Sequence, residues 1–525
     1  MSSQRIPTSL AQVPQEVLEH IAYYAATDTF LGPPSGIIPL VSLNRAMHNA
    51  LSVTTNPHLY ARIFVYKYDV APAIRRMGVD TISASAMVEE LQRRSVVLKR
   101  FRHRLDSKGE APGPMLTEML WAAYLMILES DGKNEEQLRE YALMNHWLRE
   151  FWFDPAGASR ARTIIHEQRG WPESSEIMSL SLWLLWFLLR PEEYPQDDPL
   201  FREATGILKV IALGAHRYPV CVPEWQEWVP RQITHPPTTV RHYSTNLGVV
   251  APAPASPAIL TYLTLVNKIS TWMMPPVNTM KDLFPPVSAD AQFRSSIEWD
   301  SDWARIINLA NPKSAVSSVP SGSFTPGSLE GVWEGIFTYT EFTSYAALLS
   351  GAPPSILHRS LVAQHRQTLK IQEWHLIEDE DSSLSSRPQP LAAGNPCRGY
   401  VPNDLAVRVV GDSLELTMPG ATEPVVYRSW PSMELNGVKG KVRDTFLTGQ
   451  GHSAWGQFSL VGRVRPCDGF ISLSKEYNDG DRGKWLYRAY MVGNANGSLS
   501  GRWRDTLSPA HIQGYEGTWV ASRRR

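Results

Sequence analysis

The sequence predicts an α+β multidomain protein that is helical in its first two regions and ends in an antiparallel up-and-down β-barrel. The apolar residues first recur with the period of a helix, about 3.6, and later with the period of a strand, 2. Glycine is concentrated after this change, since 21 of the 34 glycines lie between Gly331 and Gly517. The predicted domains are 1–70, a small helical domain; 71–320, an all-α middle region with Pro-rich connections; and 325–525, the barrel.

The composition excludes several classes of protein. Lys plus Arg total 51 and Asp plus Glu 52, so no global charge attracts the chain to nucleic acid or to an anionic membrane. Three cysteines without a CxxC pair exclude a disulfide framework and a cysteine-rich zinc module. Residues 1–12 lack the apolar run of a signal peptide, and Leu180–Leu189 is too short to span a bilayer and predicts a buried helix. We therefore expect a location in the cytoplasm or nucleus.

Two short helices are predicted near the N-terminus. The first covers Val13–Ile21, with Pro14 at its start, where proline is favoured. Residues Pro39–Met47 form the start of the second helix, and a further apolar segment, Leu59–Phe64, follows. A domain this small cannot bury all of these apolar residues by itself. A partner protein or the following helices must therefore cover them.

The first 60 residues resemble an F-box, whose usual pattern is Leu-Pro-x-Glu-Ile/Leu-Leu-x-x-Ile followed, after a spacer, by a helix with a Val-Ser element. The first half of the pattern corresponds to Val13-Pro-Gln-Glu-Val-Leu-Glu-His-Ile21, and the second half to Pro39-Leu-Val-Ser-Leu-Asn-Arg45. Two departures from the pattern are the longer spacer, Asp28–Ile37, and the absence of the tryptophan that often follows the Val-Ser element.

The resemblance implies a non-catalytic role. An F-box protein binds the Skp adaptor and through it a cullin, while the rest of the chain selects a protein substrate for ubiquitin transfer. The resemblance assigns adaptor binding to Val13, Pro14, Val17, Leu18, Ile21, Leu40, Val41, Leu43 and Arg45. Apolar anchors on a short helix suit a groove on a partner. The alternative is a helical hairpin that packs only on its own domain.

The middle region contains helices and Pro-rich connections. Between Pro219 and Pro286 the chain has 12 prolines, so this stretch cannot form one regular element. Its run Ala251–Pro257 is predicted to be a free linker. A second linker, Ala315–Gly327, is rich in Ser, Pro and Gly and predicts the main domain boundary.

Eleven short strands are predicted after this boundary, separated by turn sequences of hairpin length. They are Gly331–Tyr339, Leu369–Ile377, Leu405–Val409, Leu414–Met418, Val425–Trp430, Lys441–Leu447, Gly456–Val464, Gly469–Tyr477, Trp485–Val492, Ser498–Arg504 and Tyr515–Ser522. Short strands at regular spacing favour an up-and-down antiparallel barrel over a parallel sheet.

The barrel sequence is similar to two known patterns. Gly331-Val-Trp333 resembles the lipocalin-like opening, in which a tryptophan closes one barrel end and an arginine, here Arg523 or Arg524, covers it. The run Gly449–Val464 looks like the C-terminal barrel of many fungal F-box proteins and of some animal F-box-only proteins, where the barrel recognises substrate. The residues expected to build the barrel are Gly331, Trp333, Gly456, Phe458, Gly517 and Trp519.

Two hypotheses remain for the barrel interior. In the first, one mouth of the barrel binds the end of a substrate peptide and is lined by Lys475, Tyr477, Arg488, Tyr490 and Trp503. In the second, the inward aromatic residues simply fill a small barrel. The alternative function is a calycin-like carrier of haem or a lipid. Catalytic and metal-binding motifs are absent from the sequence, so we expect neither enzymatic activity nor a cofactor.

Overall fold

The structure is a computed structural model that describes residues 13–109, 113–222, 226–229, 237–270, 295–311, 322–378, 389–435, 441–494 and 497–524. The described residues form two compact units. The first comprises those within Met1–Phe151, Thr239–Leu247 and Gln292–Ser296, and the second those within Trp152–Thr238, Gly248–Ala291 and Ile297–Arg525. The predicted α+β class is confirmed, with most helices in the N-terminal half and a barrel at the C-terminal end.

The helices of the described residues are α1 (Gln15–Thr27), α2 (Ile38–Val41), α3 (Arg45–Leu51), α4 (Pro57–Lys67), α5 (Ala71–Met77), α6 (Ala84–Arg102), α7 (Pro114–Leu128), α8 (Lys133–Glu136), α9 (Met144–Phe153), α10 (Ala161–His166), α11 (Glu176–Phe187), α12 (Pro199–Leu213), α13 (Ala255–Ser270), α14 (Asp300–Leu309), α15 (Phe342–Leu349), α16 (Ile356–Arg359) and α17 (Trp430–Leu435). Across the described part of the chain, every helix is too short or too polar to cross a membrane.

The core of the first unit lies among α4, α6 and α7. Phe64, Leu98, Phe101 and Tyr124 are fully buried there, because apolar residues at helical spacing place one face of each helix against its neighbours. The ring of Phe101 packs edge-on against that of Trp147, with 5.1 Å between the ring centroids. This helical packing agrees with the periodicity of the sequence.

A buried network of charged side chains crosses the same unit. Arg94 donates from Nε to Glu90 Oε2 at 3.0 Å and from Nη2 to Glu129 Oε2 at 3.1 Å. His242 Nε2 lies 2.7 Å from Glu129 Oε1, and Tyr243 accepts a hydrogen bond from Arg94 at its hydroxyl. The two aromatic residues belong to a hairpin of strands β1 (Thr238–His242) and β2 (Thr245–Val249). The sequence assigns this hairpin to a Pro-rich connection of an all-α region and predicts no strands there.

The run Ala251–Pro257 is not the free linker that its low complexity predicts. Pro252 to Pro257 are buried, and α13 begins within the run. Proline is tolerated in the first turn of a helix, and small side chains allow a close approach between backbones. Ser256 and Ser500 exchange hydrogen bonds between each hydroxyl and the other residue's carbonyl, at 3.5 and 3.2 Å.

The second predicted linker is described only in part. Residues 315–321 of Ala315–Gly327 lie outside the described residues. Ser323 and Phe324, in the part that is described, are buried, and Ser323 Oγ donates to the carbonyl oxygen of Cys467 at 2.9 Å. The end of this run is therefore packed against the barrel.

Each predicted strand after residue 330 corresponds to a strand in the structure. These are β3 (Gly331–Thr340), β4 (Val362–Glu378), β5 (Ala406–Val410), β6 (Ser413–Thr417), β7 (Val425–Ser429), β8 (Lys441–Ser453), β9 (Gly456–Val464), β10 (Ile471–Tyr477), β11 (Lys484–Val492), β12 (Ser498–Asp505) and β13 (Glu516–Arg523). Most boundaries agree within two residues. β4 begins seven residues earlier than predicted, and β8 ends six residues later.

Eight of the described strands close into a barrel in the order β3-β13-β12-β11-β10-β9-β8-β4. All neighbours are antiparallel, and the barrel closes where β3 pairs with β4, from Gly331 opposite Ile371 to Thr340 opposite Val362. We call the end with the 341–361, 454–455, 478–483 and 506–515 connections the mouth. Closure removes the free edges of these strands.

Three further strands of the same sheet, β7, β6 and β5, extend it beyond the barrel in that order from β4 outwards. β4 is long enough to pair with strands of both the barrel and the extension. Its first ten residues pair with β3, and Trp374 and His375, nearer its end, pair with β7. A small core between this extension and the barrel contains Leu414, Leu416, Tyr427 and Phe446, all fully buried.

Glycine allows adjacent barrel strands to approach closely at two positions. A Cβ atom on Gly501 would lie 1.9 Å from the carbonyl oxygen of Arg488, and one on Gly335 would lie 2.0 Å from that of Val520. Both contacts are with backbone, which cannot move without breaking the strand pairing. Glycine in strands of this kind marks a tight bend or a close backbone approach.

The substitution Gly501→Ala is expected to lower the free energy of unfolding of the barrel by about 2–3 kcal/mol, since overpacking against a rigid neighbour costs this much. Urea unfolding followed by tryptophan fluorescence measures the change. Gly248→Ala is the matched control, because its nearest neighbouring atom would lie 3.9 Å away. Equal stabilities for the two variants would contradict the close approach of the two strands at Gly501.

Candidate functional site

Helix α1 has a buried face and an exposed apolar face. Leu18 and Ala22 are buried, at 5% and 0% exposure, whereas Val17 and Ile21 are 46% and 39% exposed. Tyr24, which lies beyond the F-box-like pattern, continues the exposed face and is 68% exposed. Residues at i, i+4 and i+7 lie on one side of a helix. The exposed side of α1 is therefore an apolar stripe, Val17, Ile21 and Tyr24.

The second half of the predicted adaptor site forms two short helices instead of one. α2 ends at Val41 and α3 begins at Arg45, because Asn44 adopts an extended conformation and its side chain accepts a hydrogen bond from the Met47 N–H at 2.9 Å. This is the usual function of an asparagine N-cap. Asparagine at position 44 was the available signal for the break.

The nine residues assigned to adaptor binding differ in exposure. Pro14, Val17, Ile21, Leu43 and Arg45 are exposed, and Val13, Leu40 and Val41 are half-buried. Leu18 is buried and contributes to the core of its own unit. Five of the nine side chains are thus readily available to a partner.

The longer spacer between α1 and α2 is attached to the other helices of the first unit. The Gly32 N–H donates to Gln137 Oε1 at 2.7 Å, and Lys67 Nζ donates to the carbonyl oxygens of Thr29 and Phe30 at 2.6 and 3.2 Å. A Cβ atom at position 32 would collide with the ring of Tyr141. The extra residues therefore form a fixed loop.

The mouth of the barrel contains a buried lysine surrounded by aromatic rings. Lys475 is 1% exposed, and its Nζ lies 3.9 Å from the centroid of the Phe458 ring. The rings of Tyr477, Tyr487 and Phe337 have centroids 4.9, 5.0 and 5.1 Å from the same atom. Aromatic faces attract a cation at these distances. The arrangement is an aromatic cage around an amine.

Two hydrogen bonds hold the lysine in this cage. Nζ donates to Gln367 Oε1 at 3.0 Å and to the Tyr487 hydroxyl at 3.3 Å. Within the described residues no carboxylate pairs with this amine, and burial lowers the pKa of Lys475 to about 7. Gln367 is also buried, and its amide Nε2 has no hydrogen-bond partner among the described residues. The site therefore offers N–H donors without an anion to accept from them.

The five residues predicted to line the mouth do not share one surface. Lys475, Tyr477 and Trp503 point into the barrel, where they belong to or contact its core. Arg488 and Tyr490 lie on the outer face, because side chains alternate between the two faces of a strand and Tyr487 and Met491 of the same strand point inward. The single mouth lined by all five residues is therefore corrected to an interior group of three.

The outer residues take part in other contacts. Tyr490 donates from its hydroxyl to Asp468 Oδ2 at 2.6 Å, and this carboxylate also accepts two hydrogen bonds from Arg465. Arg488 Nη2 lies 3.7 Å from Glu516 Oε2. Both residues thus belong to polar groups on the outside of the barrel.

A rim of apolar residues surrounds the mouth and was not predicted. Tyr339, Trp455, Trp485 and Tyr515 are half-buried aromatic residues packed on the barrel core. Farther out, the connections at this end expose Phe342, Leu361, Leu507 and Ile512. The sequence places these outer four residues outside the predicted strands, where periodicity gives no orientation. Exposed apolar residues grouped in one place are typical of interaction sites.

The aromatic residues expected to build the barrel lie in its core. Trp333, Phe458 and Trp519 are fully buried in the barrel core. Trp333 Nε1 donates to the carbonyl oxygen of Leu329 at 2.9 Å, and the Arg523 guanidinium lies 5.3 Å from the centroid of the Trp333 ring. Arg523, and not Arg524, therefore covers the tryptophan of the first barrel strand.

The three expected glycines of the barrel also have clear positions. Gly331 and Gly456 begin β3 and β9 with positive φ angles of 116°. A Cβ atom on Gly517 would lie 2.5 Å from the Trp503 ring, so this glycine makes room for an interior residue of the mouth.

No group of three or more His, Cys, Asp and Glu residues in the described part of the chain is arranged to hold a metal ion. Cys221 and Cys467 are buried, and burial raises the pKa of the Cys221 thiol to about 11. Searches against models of protein families, against curated proteins and against solved structures found no match to this chain.

Proposed function

We propose that this chain is the substrate-recognition subunit of an SCF-type (Skp–cullin–F-box) E3 ubiquitin ligase. The first helices bind the Skp adaptor and through it a cullin, and the mouth of the barrel binds the substrate protein. Ubiquitin transfer takes place on other subunits, so the chain itself is a non-catalytic adaptor.

The observation that carries the proposal is the division of the F-box-like helix into two apolar faces. Leu18 is turned into the core, while Val17 and Ile21, which match the F-box pattern, remain exposed on the other side. Exposed apolar residues arranged along a helix are the usual anchors for a groove on a partner. Leu43 and the start of α2 at Ile38 add further exposed apolar groups in the second half of the pattern.

The double variant Val17→Asp plus Ile21→Asp is expected to weaken binding of the purified Skp adaptor to the full chain by roughly 100-fold or more, since each buried anchor contributes about 1–2 kcal/mol. Isothermal titration calorimetry measures the affinity. Leu18 is unsuitable for this test because its replacement disturbs the core of the unit.

Val96→Asp is the matched control, because Val96 lies on α6 in the same unit and is 56% exposed. It is expected to leave adaptor binding unchanged. An adaptor complex that survives the double variant, or that the control disrupts equally, would contradict docking through α1. Circular dichroism of each variant establishes that the helices have formed.

A calycin-like carrier of haem or a lipid is the second candidate. The observation that favours it is the group of buried donors, Lys475 Nζ and Gln367 Nε2, which suits a carboxylate of such a ligand. The contacts among Phe337, Trp455 and Trp503 instead favour an interior filled by its own side chains. Native mass spectrometry of the full chain distinguishes the two, because a carrier would retain a bound small molecule.

A further inference from the structure

The last strand of the sheet extension has a free edge. β5 pairs with β6 on one side, and no described strand pairs with its other side. All five of its residues, Ala406 to Val410, are exposed. In an antiparallel ladder, alternate residues direct their N–H and C=O groups away from the neighbouring strand. β5 therefore presents backbone donors and acceptors that another strand can pair with.

One face of β5 continues the buried face of the extension. Val407 lies opposite Leu416, and Val409 lies opposite Leu414. The two leucines are fully buried, whereas Val407 and Val409 are 43% and 60% exposed. Because residues directly opposite in an antiparallel pair share a face, an apolar surface runs from the core onto two uncovered valines. A strand with apolar side chains on this face would cover them.

The other face of β5 carries a positive charge. The side chain of Arg408 is 78% exposed and forms a long, exposed ion pair at 4.0 Å with Glu415, the residue directly opposite it on β6. No acidic residue occurs in β5 itself. An incoming strand would place a residue opposite Arg408, and opposite charges stabilise such a cross-strand pair. The edge thus favours a carboxylate between two apolar residues.

The charge also argues against a second copy of the chain as the incoming strand. In an antiparallel pairing of two β5 strands with full overlap, the central residue of each strand meets its own equivalent. Arg408 is the central residue of Ala406–Val410, so two arginines would lie opposite each other. Like charges in this position are destabilising.

We propose that β5 binds an extended acidic peptide of a partner protein as an added strand. The peptide alternates apolar residues, which cover Val407 and Val409, with acidic residues, one of which lies opposite Arg408. Its backbone completes the ladder at the free edge, and its side chains give the specificity. This site is separate from the mouth of the barrel and does not depend on adaptor binding by α1.

A fluorescein-labelled peptide with the core Val-Glu-Val-Glu-Val tests the site on the full chain by fluorescence anisotropy. We expect saturable binding, and Arg408→Glu is expected to weaken it about fivefold or more, because attraction is replaced by repulsion. The same variant should bind the Val-Lys-Val-Lys-Val peptide better than the unmodified chain does. Arg359→Glu, an equal charge change at an exposed residue of α16, is expected to change neither affinity.

A version of the acidic peptide with every backbone nitrogen methylated separates strand pairing from simple charge attraction. Methylation removes the N–H donors, so binding to β5 should be lost. No binding of the unmodified acidic peptide, equal binding of the methylated one, or equal weakening by Arg359→Glu would overturn the proposal. A dimer that sedimentation detects and that Val409→Asp abolishes, with no binding of the acidic peptide, would identify a second copy as the occupant instead.

Discussion

The substitution Lys475→Met is expected to stabilise the barrel by about 2–4 kcal/mol at pH 7 and to abolish the substrate binding that we propose for the mouth. The amine is buried without a carboxylate partner, and burial lowers its pKa to about 7. Desolvation of an unpaired charge opposes folding. The aromatic rings and the hydrogen bond to Gln367 offset only part of this cost. Methionine fills a similar volume without a charge and packs well against rings.

The stabilising effect depends on pH in a defined direction. An unfolded lysine has a pKa of about 10.4, whereas that of Lys475 is about 7. Between these values the unfolded state binds more protons than the folded state, so the stability of the unmodified barrel rises with pH. The full cost of the charge is present below about pH 7. The advantage of Lys475→Met should therefore shrink as the pH rises from 7 towards 10.

Hydrogen exchange of the barrel amides at pH 6 and pH 9 measures this difference without assuming that the whole chain unfolds in one step. Lys484→Met is the matched control, because Lys484 lies near the same end of the barrel and is 57% exposed at its side chain. It is expected to change the stability by less than about 0.5 kcal/mol. A destabilising effect of Lys475→Met would show that the rings and hydrogen bonds outweigh the desolvation.

The substitution Arg94→Met is expected to destabilise the first unit by about 3–5 kcal/mol. Arg94 is fully buried and forms ion pairs with Glu90 and Glu129, which are also buried. Its loss leaves two carboxylates in the interior with less positive charge around them, and removal of one member of a buried ion pair costs this amount. The rings of Phe64 and Tyr68, which lie 5.1 and 5.3 Å from the guanidinium carbon, lose a cationic neighbour as well.

Thermal unfolding followed by circular dichroism measures the effect, and Arg104→Met is the control. Arg104 also pairs with a glutamate, Glu150, but its side chain is 49% exposed, so its removal should cost less than about 1 kcal/mol. Adding Glu129→Gln to Arg94→Met is expected to restore part of the lost stability, because it removes one of the two buried carboxylates that lost the arginine. A similar loss for both arginine variants would contradict a special role of the buried pair.

The same network makes the stability of the first unit depend on pH in the acidic range. Burial by itself raises the pKa of Glu90. The guanidinium groups of Arg93 and Arg94 and the ring of His242 have a larger, opposite effect, so the pKa falls to about 2. A carboxylate with a depressed pKa contributes stability above its unfolded value of about 4.3. This contribution is lost as the pH falls from about 4.3 to about 2.

The sequence predicts the strands of the barrel better than it predicts their surroundings. Strands such as Gly456–Val464 are bounded by glycine turns and alternate clearly, so periodicity locates them to the residue. The first half of β4, Val362 to Thr368, is mostly polar, and it therefore lacks the apolar alternation that identifies a strand. Gln367, which holds Lys475, lies in this half and was missed for that reason.

Orientation and long-range pairing are the parts that the sequence could not provide. Alternation divides β11 into two faces but does not show which face is inward. The sequence therefore predicts Arg488 and Tyr490 beside Lys475, although only Lys475 lies on an inner face, that of β10. The network of Arg94, Glu129 and His242 joins residues up to 148 positions apart in sequence. The covered run Ala251–Pro257 shows that low complexity also suits tight packing, since small residues and proline fit where larger side chains do not.

The long strand β4 fixes the distance between the two proposed binding sites of the second unit, the mouth and the free edge of β5. Gln367 marks the mouth and Trp374 the point where the extension branches off, a separation of roughly 23 Å along one strand. Three further strand steps of about 4.8 Å lead to the free edge of β5. A substrate with two recognition segments spaced by roughly 25–30 Å could occupy both places at once. Its avidity would then exceed the affinity of either segment, because the shared strand fixes the geometry of the pair.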